Sequence, residues 1–205
     1  MSESVNFFKY YEANNKIEGR LAYNYSLAKS SWLGVGGNAE IFYLCNSKKQ
    51  LIEILKKLPK ECNRTVIGQG SNILIRDGGI KGVVIKLGKI FQNINNLDNT
   101  IIAGGAALDK IVAKFSEKVS LGGLEFLSGI PGNIGGALAM NAGCYGRYIK
   151  DVLVSAEFIS REGLLHTLGG KDLEFSYRTS KIPNGWVMTK AFFKSNVSNP
   201  EYLNS

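Results

Sequence analysis

The sequence predicts an α+β protein, because short apolar segments of strand character recur along the chain and two amphipathic helical stripes lie among them. With 205 residues, the chain is long enough for one large domain or two small ones. Hydrophobic residues make up 44% of it and charged residues 20%, which is typical of a globular protein rather than a disordered one. No apolar run approaches the roughly 20 residues that a membrane span needs, so we expect no membrane partner.

The first half of the chain has a β-α-β order followed by further strands. Residues 1–25 are polar and aromatic without a clear period, and we expect them to form an N-terminal extension that packs on the domain. A strand is predicted over 39–44, after which Asn46 or Ser47 can cap a helix that Pro59 ends. The apolar face of this helix would contain Leu51, Ile52, Leu55 and Leu58. Further strands are predicted over 64–67, 72–76 and 82–87, with a turn at 77–79.

The second half begins after an asparagine-rich segment, residues 93–99, which we interpret as a polar bridge between two subdomains. A strand over 100–103 precedes a helix, in which Asp109 lies near the start and suits the helix dipole. The predicted core stripe of this helix is Leu108, Ile111, Val112, Phe115 and Val119. Strands follow over 152–159, 164–168 and 186–194. We therefore predict subdomains over 26–95 and 96–195, and a tail over 196–205.

Two glycine-rich loops are the most specific feature of the sequence. One is Gly68–Asn72, and the other is the segment 122–146, which contains eight glycines and the helix-like run 134–141. Glycine lets another molecule approach the main chain closely, and backbone N–H groups in such loops can face an anion. Two phosphate-binding loops in one chain point to a dinucleotide. Neither loop is a Walker A or a Rossmann fingerprint, so glycine-rich turns without a ligand remain the alternative.

The net charge and the composition limit the classes of binding partner and the cellular compartment that we expect. The net charge of +8 favours acidic partners, either nucleic acid or phosphorylated small molecules, and no nucleic-acid-binding signature occurs. Three cysteines without a CxxC pair predict a reducing compartment, and the polar N-terminus does not resemble a secretory signal, so we expect a cytoplasmic protein. The single histidine, His166, cannot complete a metal shell with its sequence neighbours, and we expect no metal.

Four segments in order and spacing carry a family resemblance. They are WLGVGGNA over 32–39, GQGSNILIRDGGIKGVVI over 68–85, GLEFLSGIPGNIGGALAMNAGCYG over 123–146 and FSYRTS over 175–180. Over about residues 26–195 the chain resembles the UDP-N-acetylenolpyruvoylglucosamine reductases, NADPH-using flavoenzymes of peptidoglycan precursor synthesis. The resemblance implies an FAD-binding fold of the vanillyl-alcohol-oxidase type, in which two α+β subdomains clasp the flavin. A different flavin oxidase on the same fold is the second interpretation.

The resemblance also implies residue roles. Arg178 matches the family's catalytic arginine, and Tyr177 beside it would contact the UDP-sugar substrate. Hydride would pass from NADPH through FAD to the enolpyruvyl group, and the guanidinium would stabilise the negative charge that develops on the substrate carboxylate. The implied cofactor-binding residues are Gly68, Gln69, Gly70, Ser71 and Asn72 at the pyrophosphate, Gly129, Ile130, Pro131, Gly132, Gly135, Gly136 and Ala137 along the flavin, and Asn141, Ala142 and Gly143 near the ring.

The chain departs from the family at its C-terminal side. The family has a third domain that binds the UDP part of the substrate and carries a serine proton donor and an assisting glutamate. The chain ends at Ser205, about where that domain would begin, so we expect the domain to be absent from it. We assign neither the proton-donor role of the serine nor the assisting role of the glutamate to a residue of this chain. The alternative function is therefore a non-catalytic FAD-binding half that needs a separately encoded C-terminal polypeptide.

Overall fold

The computed structural model describes residues 2–197, which form two compact units. The first unit contains the chain up to Ile90 together with Ile159–Leu165 and Gly185–Val187. The second contains Phe91–Phe158, His166–Asn184 and residues 188–197. The limits 26–95 and 96–195 stay a prediction, and most of the predicted tail lies outside the described residues. Within residues 2–197, no helix is both long and apolar enough to cross a membrane.

The first unit is a four-stranded sheet with two helices. Strand β1 (Gly19–Ser26) pairs antiparallel with β2 (Asn38–Cys45), while β4 (Ile80–Leu87) pairs parallel with both β2 and β3 (Arg64–Ile67), giving the order β1-β2-β4-β3. Residues 1–25, predicted as an extension, supply a helix whose Phe8 is fully buried and an edge strand of this sheet. The elements are α1 (Glu3–Asn14), β1 (Gly19–Ser26), β2 (Asn38–Cys45), α2 (Lys48–Lys57), β3 (Arg64–Ile67) and β4 (Ile80–Leu87).

Helix α2 forms where its cap and apolar spacing predicted it. The Ser47 hydroxyl accepts a hydrogen bond from the Gln50 N–H at 3.2 Å, which satisfies one of the unpaired donors of the first turn. The buried face contains Ile54 rather than the predicted Ile52, which is only half-buried. The other buried positions, Leu51, Leu55 and Leu58, are as predicted.

The strand predicted over 72–76 is wrong. Asn72 lies in a turn, and residues 73–76 belong to no strand of the sheet. The apolar alternation of this segment has another cause: Ile73 and Ile75 pack on one face of the sheet, against a cluster of buried residues, while Leu74 is exposed. Packing on a sheet face produces the same period of two as pairing in a sheet. The cluster is Leu27, Ala39, Phe42, Ile67, Ile75 and Val84.

The second unit is built on a five-stranded sheet of order β11-β10-β12-β6-β5, in which β6 pairs antiparallel with both β5 and β12. Two short two-stranded ribbons, β7 with β13 and β8 with β9, accompany it. The elements are β5 (Ile94–Leu97), β6 (Thr100–Gly104), α3 (Asp109–Lys118), β7 (Leu121–Gly122), α4 (Ile134–Ala139), β8 (Gly143–Cys144), β9 (Arg147–Tyr148), α5 (Ile149–Val152), β10 (Leu153–Ile159), β11 (Leu165–Gly169), β12 (Val187–Lys194) and β13 (Asn196–Val197).

The asparagine-rich segment 93–99 does not form a bridge. It contains β5, which pairs with β6 in a hairpin whose last pair is Leu97 with Thr100. The two-residue turn between them has Asp98 at a φ of 48°, a left-handed conformation that Asp and Asn tolerate better than most residues. The polar residues that suggested a linker therefore belong to an exposed edge strand and its turn.

Helix α3 forms over the predicted residues but is rotated relative to the predicted stripe. Ile111 is 43% exposed, whereas the buried positions are Asp109, Val112, Ala113 and Ser116. Asp109 is fully buried, and neither carboxylate oxygen has a hydrogen-bond partner among the described residues. Burial raises the pKa of this carboxyl to about 8, so the group is mostly neutral at pH 7. Asp109 lies in the first turn of α3 as predicted, but a carboxyl that is mostly neutral interacts only weakly with the helix dipole.

We predict that D109N stabilises the protein at neutral pH. The pKa of Asp109 is about 8 in the folded state and roughly 3.9 in the unfolded state. The free energy of unfolding of the wild type is therefore highest below pH 4 and decreases as the pH rises toward 8. The D109N advantage should thus be near zero at pH 4 and reach up to about 4 kcal/mol at pH 7, at about 1.4 kcal/mol per unit. Urea unfolding across this range measures it. The exposed-turn variant D98N is the control, and a pH-independent difference would contradict the assignment.

Candidate functional site

The loop Gly68–Asn72 follows β3 in the first unit and is held by one close backbone approach. The Gly70 carbonyl accepts a hydrogen bond from the Trp32 N–H at 3.0 Å. Gly70 itself has a φ of 75°, and a Cβ on it would lie 1.9 Å from the Ser30 carbonyl oxygen. Only glycine fits both the backbone conformation and this contact. The loop geometry therefore depends on Gly70.

The N–H groups of this loop are available to a ligand. Within residues 2–197, no protein acceptor is found for the backbone N–H groups of Gln69, Gly70 and Ser71. Three successive donors in a turn form the kind of concave site that binds an anion such as a phosphate. The loop therefore keeps the anion-binding interpretation that its sequence suggested.

The second loop is different, because the start of α4 is bonded to the turn after β6. The Ile134 N–H donates to the Ala107 carbonyl at 3.0 Å, and the Gly135 N–H donates to the Gly105 carbonyl at 2.9 Å. In return, the Asp109 N–H donates to the Gly132 carbonyl at 3.3 Å. The N–H groups of Ile134 and Gly135 are thus already used. The prediction that the start of this helix turns its N–H groups toward an anion is wrong for these two.

Several glycines of this segment serve the protein's own packing. A Cβ on Gly135 would lie 3.0 Å from the Gly105 carbonyl oxygen, and one on Gly143 would lie 2.3 Å from the Tyr148 ring. Gly136 has more space, its nearest neighbour being the Asn133 Oδ1 at 3.3 Å. No protein acceptor is found within the described chain for the N–H groups of Gly132 and Gly136. These two groups are among the donors that this loop can offer to a cofactor.

Asn141 ends α4 in a left-handed conformation, with a φ of 41°. The Ala142 N–H bonds the Ala137 carbonyl at 2.8 Å and the Asn141 N–H bonds the Leu138 carbonyl at 3.1 Å, which together make a Schellman motif. The Asn141 side chain is only 4% exposed. Its position at the end of the helix follows from this capping geometry.

Tyr177 and Arg178 are the two central residues of a tight turn closed by reciprocal backbone hydrogen bonds between Ser176 and Thr179. Both central side chains are exposed, Tyr177 by 85%. Arg178 has a φ of 53°, at a turn position that usually requires glycine. The guanidinium is thus presented outward from a strained backbone.

Two side-chain hydrogen bonds attach this turn to the end of α4. Asn141 Nδ2 donates to the Ser176 carbonyl at 3.1 Å, and Ser180 Oγ donates to the Ala139 carbonyl at 3.0 Å. The second unit therefore joins Asn141, at the end of the glycine segment, to the turn that carries Tyr177 and Arg178. Gly68–Asn72 belong to the first unit.

Sequence analysis did not identify the residues whose hydrogen bonds hold the glycine segment and the Tyr177–Arg178 turn in place. Ser176 and Ser180 bond residues 35 and 41 positions away, and Asn133 Nδ2 donates to Gly105 across 28 positions at 3.0 Å. A single sequence contains no signal for such long-range pairs.

Over residues 2–197, no group of three or more His, Cys, Asp or Glu side chains is arranged to hold a metal ion.

Comparison with known proteins identifies the family. Residues 39–169 match the family model described as FAD binding domain. This chain belongs to that FAD-binding family. It is 46% identical over 185 residues to the UDP-N-acetylenolpyruvoylglucosamine reductase of Paramagnetospirillum magneticum, an alignment that covers 90% of this chain and 60% of the relative. The chain therefore spans about 60% of the length of that relative, and the resemblance to this group of reductases is confirmed.

Solved structures confirm the fold. The UDP-N-acetylenolpyruvylglucosamine reductase of Thermus caldophilus superposes with a TM-score of 0.78 at 29% identity, covering 92% of this chain and 66% of that one. A 6-hydroxy-D-nicotine oxidase from Arthrobacter nicotinovorans superposes with a TM-score of 0.65 at 15% identity, covering 89% and 43% respectively. At that identity the second likeness concerns the fold alone. The sequence predicted an α+β flavin-binding fold, and these comparisons confirm it.

We predict that G70A disrupts the first loop. The added Cβ would meet the Ser30 carbonyl oxygen and force a left-handed alanine, which together should cost about 3 kcal/mol or more of stability. Thermal unfolding measures the loss. G78A is the matched control, because a Cβ there meets nothing within 4 Å, and it should unfold within about 1 kcal/mol of wild type. Equal stability of the two variants would refute the contact.

Proposed function

We propose that this chain holds the flavin in an enzyme that reduces UDP-N-acetylglucosamine enolpyruvate to UDP-N-acetylmuramate, with FAD as cofactor and NADPH as the hydride source. The reaction belongs to cytoplasmic peptidoglycan precursor synthesis, and so to cell shape and division. The proposal rests on the 46% identity, over 185 residues, to the UDP-N-acetylenolpyruvoylglucosamine reductase of Paramagnetospirillum magneticum. Turnover by these 205 residues alone distinguishes this proposal from the second candidate given below.

The two loops supply the proposed cofactor contacts. In the first unit, Gly68–Asn72 would bind the FAD pyrophosphate, because the N–H groups of Gln69, Gly70 and Ser71 have no protein acceptor in the described chain. In the second unit, the glycine segment offers the N–H groups of Gly132 and Gly136, for which the described chain provides no acceptor. Bound FAD would supply the redox chemistry, which is hydride transfer from NADPH to the substrate vinyl carbon distal to the carboxylate. The other proposed contacts along the flavin are Gly129, Ile130, Pro131, Gly135, Ala137, Asn141, Ala142 and Gly143.

Arg178 is the proposed catalytic residue. As hydride arrives at the vinyl carbon, negative charge develops on the substrate carboxylate, and a guanidinium is suited to it because it stays protonated and presents a planar set of donors. The turn between Ser176 and Thr179 presents the side chain outward, and Tyr177 beside it would contact the substrate. No residue of this chain is assigned the proton transfer that completes the reaction.

The second candidate is a flavin-binding half that needs a further polypeptide for turnover. It is favoured by the observation that the chain spans about 60% of its relative's length. Under this alternative, FAD binding by the purified chain is normal, whereas steady-state reduction of the enolpyruvyl substrate requires an added C-terminal polypeptide.

We predict that the purified chain binds FAD saturably, with a perturbed visible spectrum and quenched or shifted flavin fluorescence. The physical reason is that N–H groups of the two loops have no protein acceptor. The cofactor's phosphates can therefore accept their hydrogen bonds without breaking a bond within the protein. Titration followed by absorbance and fluorescence gives the affinity, and G78A should match wild type. A folded chain that leaves the flavin spectrum unchanged would sink both candidate functions.

We predict that R178G retains FAD affinity within about twofold but slows reduction of the enolpyruvyl substrate about 100-fold or more, as expected for loss of a transition-state charge partner. Glycine tolerates the left-handed φ of 53°, so the turn itself should persist. Stopped-flow flavin absorbance separates reduction by NADPH, which should be unaffected, from reoxidation by substrate.

R178K is the matched variant for charge without the planar donor set, and it should recover only part of the rate. An R178G reoxidation rate equal to that of wild type would remove Arg178 from the catalytic role. If wild type binds FAD and accepts hydride from NADPH but does not reduce the substrate, the second candidate is supported instead.

A further inference from the structure

The Asn141 side chain is fully engaged inside the second unit. Its Nδ2 donates to the Ser176 carbonyl at 3.1 Å, and its Oδ1 accepts from the Lys150 N–H at 3.1 Å. A carbonyl on one side and an N–H on the other fix the orientation of the amide. The side chain thus links three parts of the chain: the end of α4, the start of α5 and the turn that carries Arg178.

Capping alone does not require this residue. At the left-handed position that closes a Schellman motif, glycine is the least strained choice, and asparagine is the usual second. The backbone bonds of the motif, from Asn141 and Ala142, are made by N–H groups that glycine would also provide. What asparagine adds at a φ of 41° is the two side-chain hydrogen bonds.

The turn that receives this bond is itself strained. The Ser176 carbonyl accepts both from the Thr179 N–H at 3.4 Å, which closes the turn, and from Asn141 Nδ2. Arg178 occupies a left-handed position, which is unfavourable for an arginine. A turn with one long closing bond and a strained residue needs support from outside itself to persist.

We propose that Asn141 is a positioning residue, which holds the Tyr177–Arg178 turn against the end of α4 by donating to the Ser176 carbonyl. The effect on chemistry rests on the proposed role of Arg178. The effect on the turn does not, and it is tested separately.

Hydrogen–deuterium exchange tests the positioning with two variants that differ in which bond they lose. N141G keeps the left-handed cap but removes both side-chain bonds, so exchange should rise about tenfold in peptides covering 176–180 and at Lys150. N141D replaces the donor by an acceptor and keeps the bond from Lys150, so only 176–180 should exchange faster. N24G is the control, because Asn24 is also a left-handed asparagine, at a φ of 49°, but lies in the first unit. Wild-type exchange of 176–180 in N141G would overturn the proposal.

The two half-reactions of the FAD-loaded chain test the consequence for catalysis. Because Asn141 is also a proposed flavin contact, both half-reactions are measured at saturating FAD. In N141D and N141G, reoxidation by UDP-N-acetylglucosamine enolpyruvate should slow about tenfold more than reduction of the flavin by NADPH. A general packing role would slow both steps equally, and that result would contradict positioning. Faster exchange of 176–180 with unchanged reoxidation would also contradict it. If wild-type chain performs neither half-reaction, the proposed function fails, and the exchange data still decide whether Asn141 holds the turn.

Discussion

The backbone hydrogen bonds between the start of α4 and the turn after β6 determine the geometry of the second unit's candidate site. Ile134 and Gly135 donate to Ala107 and Gly105, so the helix begins at one fixed place and direction. Its other end, six residues later, carries Asn141 and Ala139, which bond the turn that contains Arg178. The arginine's position therefore depends on contacts with the turn after β6, far from it along the chain.

The same contacts explain why glycine is dense in this segment. Gly135 permits the approach of the Gly105 carbonyl, and Gly143 permits the packing of Tyr148, so both are required by the protein whether or not a ligand is bound. A glycine-rich segment alone is consequently weak evidence for an anion site. A stronger criterion is which N–H groups lack a protein acceptor, and it selects Gln69, Gly70 and Ser71 in the first unit.

Sequence reasoning reached the fold class and most strands, and α2 with its Ser47 cap, because these depend on local periodicity and capping. It failed where tertiary context decides. The segment containing Ile73 and Ile75 packs on a sheet face instead of pairing, and α3 is rotated so that Asp109 is buried and Ile111 is exposed. The candidate site residues came from a family resemblance, whereas the hydrogen bonds that hold them join distant positions that one sequence does not connect.

Three unfavourable features of the second unit belong to residues of this site or to residues bonded to it. Asn141 and Arg178 are left-handed, and Asp109, whose N–H bonds Gly132, has an unpaired buried carboxyl. Each costs on the order of 1 kcal/mol or more, a sizeable part of the 5–15 kcal/mol that stabilises a typical domain. Residues chosen for stability alone would remove all three: glycine at the two left-handed positions and an apolar residue at the third. Of the other left-handed residues described in the second unit, Tyr145 and Glu174 lie in or beside the same segments, whereas Asp98 and Ser120 lie elsewhere. Strain is therefore concentrated near this part of the chain without being confined to it, and a functional arrangement that overrides local preferences would account for that concentration.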